Sequence, residues 1–235
     1  TAYLSGYNGR MYKIDGEDAD GVTTVLGATI DKGGAMAWWG MRVGIKAMVE
    51  LERRLPNEDI LANDPEILEK WTVKEKLSTN HTRDSAAGRG TAVHKALETY
   101  AEDGSIPTPQ DFHPAEREYV RGLARFLEEE QPDIVASEQI VGSKRHMFAG
   151  TLDLRVRNFK GAPSALLDLK TSGKVHDSHH IQLAAYDLAS VEYGYDPTDA
   201  QYVIRVGDGD YELVRSKATH GQWLMALAHY RGLRE

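Results

Sequence analysis

The segment Leu166-Leu167-Asp168-Leu169-Lys170, together with the earlier Gly150-Thr151-Leu152-Asp153, holds two carboxylates and an amine in a pattern that could do chemistry. If both segments are strands, side chains alternate faces, so Asp168 and Lys170 share one face while Leu167 and Leu169 turn into the core. The same alternation turns Leu152, Leu154 and Val156 inward and leaves Thr151, Asp153 and Arg155 opposite. Paired carboxylates form a hard-oxygen site suited to Mg2+ or Mn2+, ions usually held by one or two carboxylates plus waters and phosphate oxygens. Such an ion lowers the pKa of a bound water, and a nearby ammonium stabilises charge that builds on a phosphate. That is phosphodiester hydrolysis without a protein nucleophile. An isolated D-x-K is more often a weak surface ion pair, so the surrounding elements must decide.

Upstream, Gly90-Thr91-Ala92-Val93-His94 opens a stretch that reads as a helix, with Val93, Leu97 and Tyr100 at helical spacing. Downstream, Gln182 and Tyr186 fall on one helical face by their i,i+4 spacing. Between them, helix 114–130 precedes strands near 134–141, 148–157 and 165–170. A helix over 178–193, strands near 201–206 and 211–214, and a last helix over 219–233 follow. At the front of the chain, 3–14 and 21–26 read as short strands, and 35–55 and 65–77 as helices. Trp38 or Trp39 could stack on a nucleic-acid base, but burial in a helical cap is the preferred reading.

Taken in order, G-x-x-x-H, G-x-x-D, D-x-K-T-S and Q-x-x-x-Y over residues 88–186 resemble the RecB-like branch of the PD-(D/E)xK nucleases. That branch includes the nuclease domains of RecB and AddB and phage recombination exonucleases. The segment 21–26 followed by Trp38-Trp39 also looks like the N-terminal part of phage members. The resemblance implies a mixed α/β, restriction-endonuclease-like core. Its central mixed sheet is flanked by helices, with residues 1–80 a strand and helical elaboration on a single domain and 81–235 the core.

The resemblance also assigns roles. Asp153 and Asp168 become metal ligands, His94 and the backbone carbonyl of Leu169 complete the metal site, and Lys170 is the catalytic lysine. Gln182 and Tyr186 orient substrate or buttress the site. Glu138 falls where many relatives keep an acid on the first core strand. It ranks behind the ligands because its face depends on a register that sequence leaves open. The expected activity is Mg2+- or Mn2+-dependent DNA cleavage, exonucleolytic, in recombination, repair or end processing. DNA is the implied partner, with a single-strand annealing or recombination protein beside it. A catalytically silent DNA-binding module on the same scaffold, a structure-selective endonuclease and an interaction protein with coincidental motifs are the alternatives.

Composition bounds these readings. A chain of 235 residues supports a sizeable core. It has 0 cysteines, which excludes disulfides, cysteine-ligated zinc and the cysteine-held iron–sulfur cluster of several RecB-like relatives. No apolar run reaches membrane-spanning length and no leader pattern is evident, so a cytoplasmic protein is expected. The net charge of -8 argues against a generally basic nucleic-acid binder and leaves room for a local basic groove. Candidates for that groove are Lys144, Arg145, Arg155, Arg157, Lys160 and Lys174, with Arg83, Arg89 and Lys95 beside His94. The histidines at 176, 179 and 180 read as solvated or DNA-facing rather than as a second metal site.

Overall fold

The computed structural model of the protein describes residues 4–7, 11–30, 33–56, 58, 60 and 63–235. Strands β1 (Leu4–Tyr7), β2 (Met11–Ile14) and β3 (Glu17–Gly21) lead into helix α1 (Val22–Thr29). Residues 3 and 8–10 of the first expected strand lie outside the described residues. Helices α2 (Gly33–Arg54), α3 (Pro65–Lys74), α4 (Thr79–Asp103) and α5 (Arg117–Glu130) follow. Then come β4 (Asp133–Ser143), β5 (Phe148–Phe159), β6 (Ala162–Lys170), α6 (Asp177–Tyr193), β7 (Ala200–Gly207), β8 (Asp210–Arg215) and α7 (His220–Gly232).

Local chemistry explains many of these boundaries. Asp64 accepts from the Glu66 amide and Pro65 opens α3, a cap followed by a residue with no amide to satisfy. In α5, Val120, Leu123, Ala124 and Leu127 are buried at helical spacing, and the helix ends at Gln131 in the left-handed region. Helix α6 ends at Gly194, φ 113°, a conformation in which glycine meets no steric penalty. Thr219 and Gln222 cap α7 reciprocally.

The strands form one mixed, eight-stranded sheet in the order β1-β2-β3-β5-β6-β7-β8, with β4 on the other edge of β5. Helices cover both faces. One apolar cluster joins α4 and α5 to Leu154, Val156, Leu167 and Leu169, and the other joins α1, α6 and α7 to Leu152, Leu166 and Val203. Burial on both faces explains the almost uninterrupted apolar run of β6. The architecture is thus mixed α/β with a central mixed sheet flanked by helices.

The chain divides into two compact units, residues 1–30 with 91–235, and residues 31–90. Strand β3 ties the front of the chain to the larger unit by pairing in parallel with the start of β5 through Asp20↔Phe148 and Gly21↔Ala149. Residues 22–26, expected as strand, belong instead to α1. The β-branched run favours strand locally, but the helix puts Val22, Val25 and Leu26 on one face, where all three are buried against the sheet. Burial in a helical cap was expected for Trp38, yet its side chain is 60% exposed.

Candidate metal centre

The site grows from a fork in the sheet. Along one edge of β5, pairing with β3 ends at Ala149 and pairing with β6 begins at Leu154, leaving 150–153 between two partners. The register Leu154↔Leu167 makes Asp153 and Asp168 cross-strand neighbours where β6 parts from β5, and there the Leu169 amide donates to Asp153 Oδ2 at 2.6 Å. On the other edge of β5, the pairs Ser137↔Leu154 and Gln139↔Leu152 set Glu138 opposite Asp153. Glu138, Asp153 and Asp168 therefore occupy one row across β4, β5 and β6.

His94 reaches this row from α4, where Val93 and Leu97 anchor the helix in the core. Its Nδ1 lies 3.6 Å from Glu138 Oε1 and 3.6 Å from Asp153 Oδ1. One ligand atom from each of His94, Glu138 and Asp153 falls within 4.8 Å of the others. The His94 and Glu138 side chains are 31% and 34% exposed and that of Asp153 only 9%, so the group opens to solvent on one side.

Glu138, ranked behind the ligands from sequence, is thus inside the group that could hold an ion, and Asp168 stands outside it. Two irregularities account for this. The register of β4 shifts between Ile134 and Ala136, and Glu138 itself has φ 47°, a left-handed conformation that a non-glycine residue adopts at a cost of about 1 kcal/mol. The fork has a second consequence: Leu152, expected inward with Leu154 and Val156, packs in the opposite apolar cluster.

Asp168 is fully buried, and its Oδ1 accepts no hydrogen bond. Its compensation is the Lys170 ammonium, 2.6 Å from Oδ2 on the same face of β6. Burial raises the Asp168 pKa from 3.8 to about 6. Lys170 opposes that rise, the charge of Asp153 adds to it, and His94 opposes it. For His94, burial lowers the pKa, but the Asp153 charge and the hydrogen bond with Glu138 prevail and hold it above the usual 6.5. Carboxylates crowded together with a buried, unsatisfied member form a set that a divalent cation would complete. An imidazole with carboxylates is a group that could hold a metal ion, and the absence of cysteine leaves no iron–sulfur cluster to consider. Leu169 enters through its amide, and its side chain is buried in the core.

Gln182 and Tyr186 approach from α6, both buried, with Gln182 Nε2 donating to Tyr186 Oη at 2.8 Å. Burial pushes the Tyr186 phenol well up, and the charges of Asp168 and Asp153 push it further, so it stays a neutral hydrogen-bonding group at the row's edge. Gly150 makes this approach possible. A Cβ there would sit 2.5 Å from Tyr186 Cε1 and 3.2 Å from Val22 Cγ2. We therefore expect Gly150→Ala to displace the Tyr186 ring and cost about 1–3 kcal/mol in urea denaturation, and a parental midpoint would show that the contact is soft. Tyr12, not singled out by sequence, borders the same segment through Tyr12 Oη···Thr151 Oγ1 at 3.2 Å. Only the pairing of β3 with β5 brings it there.

The expected basic groove along the core strands is largely consumed by ion pairs. Arg157 meets Asp133 with two bonds of 3.1 Å, Lys160 meets Glu130 at 2.6 Å, and Lys144 pairs with Asp15. Lys95 meets Glu98 at 2.6 Å and Arg83 meets Asp84 at 3.4 Å. Arg155, expected opposite the apolar face as a solvated charge or a part of that groove, is buried. It donates to the Asp196 carbonyl at 2.6 Å, with its guanidinium over the Tyr195 ring. Helices on both faces of the sheet are the reason. At the start of α6 the His176 amide donates to His179 Nδ1 at 3.2 Å.

No family model and no curated protein matches this chain. Among solved structures it is similar to one described as the crystal structure of SSO0001. The identity is 13%, the match covers 60% of this chain and 72% of that one, and the TM-score is 0.32.

Proposed function

We propose that this chain is a Mg2+- or Mn2+-dependent deoxyribonuclease of the PD-(D/E)xK kind, in its RecB-like branch. On this reading it is an exonuclease serving DNA recombination, repair or end processing. One observation carries the reading: segments far apart in sequence bring His94, Glu138 and Asp153 together beside the buried Asp168–Lys170 pair. His94, Glu138 and Asp153, with Asp168 and the Leu169 carbonyl, are the groups that would hold the cation. When bound, a divalent cation supplies a water of lowered pKa and offsets charge on the phosphate. Lys170 keeps Asp168 ionised and presents an ammonium to the phosphate, while Tyr186 and Gln182 brace the site from α6. A cytoplasmic setting and a recombination or strand-annealing partner belong to the same reading.

The test is incubation with Mn2+ or Mg2+ and end-labelled linear, nicked and circular DNA. Shortening from ends supports the exonuclease, and cutting of circles makes the protein an endonuclease. Metal binding through Asp153 without cleavage makes it a silent DNA-binding module, and absence of metal binding ends the reading. His94 gives a sharper check. An imidazole binds metal only when neutral, and the His94 proton is held above the usual pKa, so apparent metal affinity should begin to fall already above about pH 6.5. In His94→Ala, titrated by calorimetry between about pH 8 and pH 6, that slope should flatten and Mn2+ should lose its advantage over Mg2+. An unchanged slope would remove His94 from the site.

A further inference from the structure

The unit of residues 31–90 carries a feature that the metal centre does not use. Along α2, Trp38, Arg42, Lys46 and Glu50 recur every fourth residue, one stripe of the helix with steps of about 6 Å. Trp38 is 60% exposed, and Arg42 and Lys46 are exposed and pair with no acid among the described residues. Glu50 closes the stripe, already held by Arg53 and Arg54. The stripe lines a groove of about 760 Å³ that Trp39, Arg54 and Lys76 also border, so cations outnumber the single acid four to one in a chain of net charge -8.

An exposed indole beside unpaired cations suits a ligand with flat aromatic faces and regularly spaced negative charge. Single-stranded nucleic acid has both, because its bases are free to stack and its phosphates follow one another along the groove. We propose that this groove binds single-stranded DNA, with a base stacked on the Trp38 indole and phosphates on Arg42, Lys46 and Lys76. Only the choice of DNA over RNA rests on the nuclease reading. Binding is measured without cleavage, so the two stand or fall separately. An acidic amphipathic helix of a partner protein, using the exposed Ile45 and Val49, is the competing occupant.

The experiment is fluorescence anisotropy of a labelled oligothymidylate titrated with the full chain in EDTA over a range of salt. Trp38→Ala and Trp38→Leu should weaken binding about tenfold, while Trp38→Tyr, which keeps a stacking ring, should stay within about threefold of the parent. The double variant Arg42→Ala/Lys46→Ala should lower the slope of log affinity against log salt by roughly 1.4, about 0.7 for each lost phosphate contact. Thermal melting of each variant accompanies the titration. If a destabilised alanine variant cannot be used, the leucine–tyrosine comparison decides. Equal affinity in all variants, or leucine binding as well as tyrosine, overturns the proposal. So does an acidic helical peptide that binds the parent in a Trp38-dependent way while the oligothymidylate does not. Variant-independent binding with intact cleavage removes the groove alone, and variant-sensitive binding without any cleavage removes the nuclease alone.

Discussion

Asp168→Asn is expected to abolish DNA cleavage and, in metal-free protein at pH 7, to raise the melting temperature. The carboxylate lies fully buried beside Asp153, with Lys170 as its compensation, and its pKa rises from 3.8 to about 6. An acid whose folded pKa is raised destabilises the fold in its ionised form. The cost is absent below the unfolded value near 3.8, grows as pH climbs through about 6, and is complete by pH 7. The difference corresponds to about 3 kcal/mol. Asn removes the charge and keeps the shape, but it also takes a partner from Lys170, so a net gain of about 1–2 kcal/mol, a few degrees, is expected. The gain should vanish at about pH 4, where Asp168 is protonated in the folded protein too. Cleavage should fall at least about a hundredfold, the upper range for loss of a mere partner of a metal ligand, because Asn replaces a group that would itself hold the cation. Differential scanning fluorimetry at both pH values, beside a cleavage assay, checks the pair of effects. A variant that cuts DNA normally, or one less stable than the parent at pH 7, would contradict the assigned site.

Lys170→Ala is expected to remove most of the turnover, about a hundredfold, by two routes that pH separates. The ammonium is lost from the phosphate at every pH. In addition, Asp168 loses the cation 2.6 Å from its Oδ2, so its pKa climbs above about 6 and protons compete with metal in a range where the parent is ionised. Metal affinity of the variant should therefore match the parent at about pH 8 and fall below it at about pH 6, while the rate per metal-loaded protein stays low throughout. Calorimetry and single-turnover cleavage at the two pH values test this. A normal rate once metal is saturating would make Lys170 a positioning group for Asp168 and nothing more.

Much of the fold could be read from residue pattern because its signals are local. The buried spacing of Val120, Leu123 and Leu127 marks α5, alternation and apolar runs mark β5 and β6, and the reciprocal Thr219–Gln222 cap starts α7. The front of the chain misled for the opposite reason. Val22 to Val25 carry strand propensity, yet a core waiting for one helical face outweighs preferences of a few tenths of a kcal/mol per residue. Trp38 shows a related limit, since a tryptophan at helical spacing is usually a core residue and nothing local marks this one as exposed.

By itself the sequence determined which side chains are available for chemistry: the acids, the D-x-K lysine, the helix histidine, and no cysteine for a cluster or disulfide. It also placed Asp168 and Lys170 on one face, because a strand's period of two depends only on local backbone geometry. Only the tertiary structure decided that Glu138 stands with His94 and Asp153 while Asp168 turns to Lys170, and that Gly150 makes room for Tyr186. Those relations depend on strand register, on a shift between Ile134 and Ala136, and on the fork where β3 and β6 share one edge of β5. Register is set by the sum of many distant contacts, and one residue of slip would turn each side chain to the other face, so short-range pattern carries no record of it.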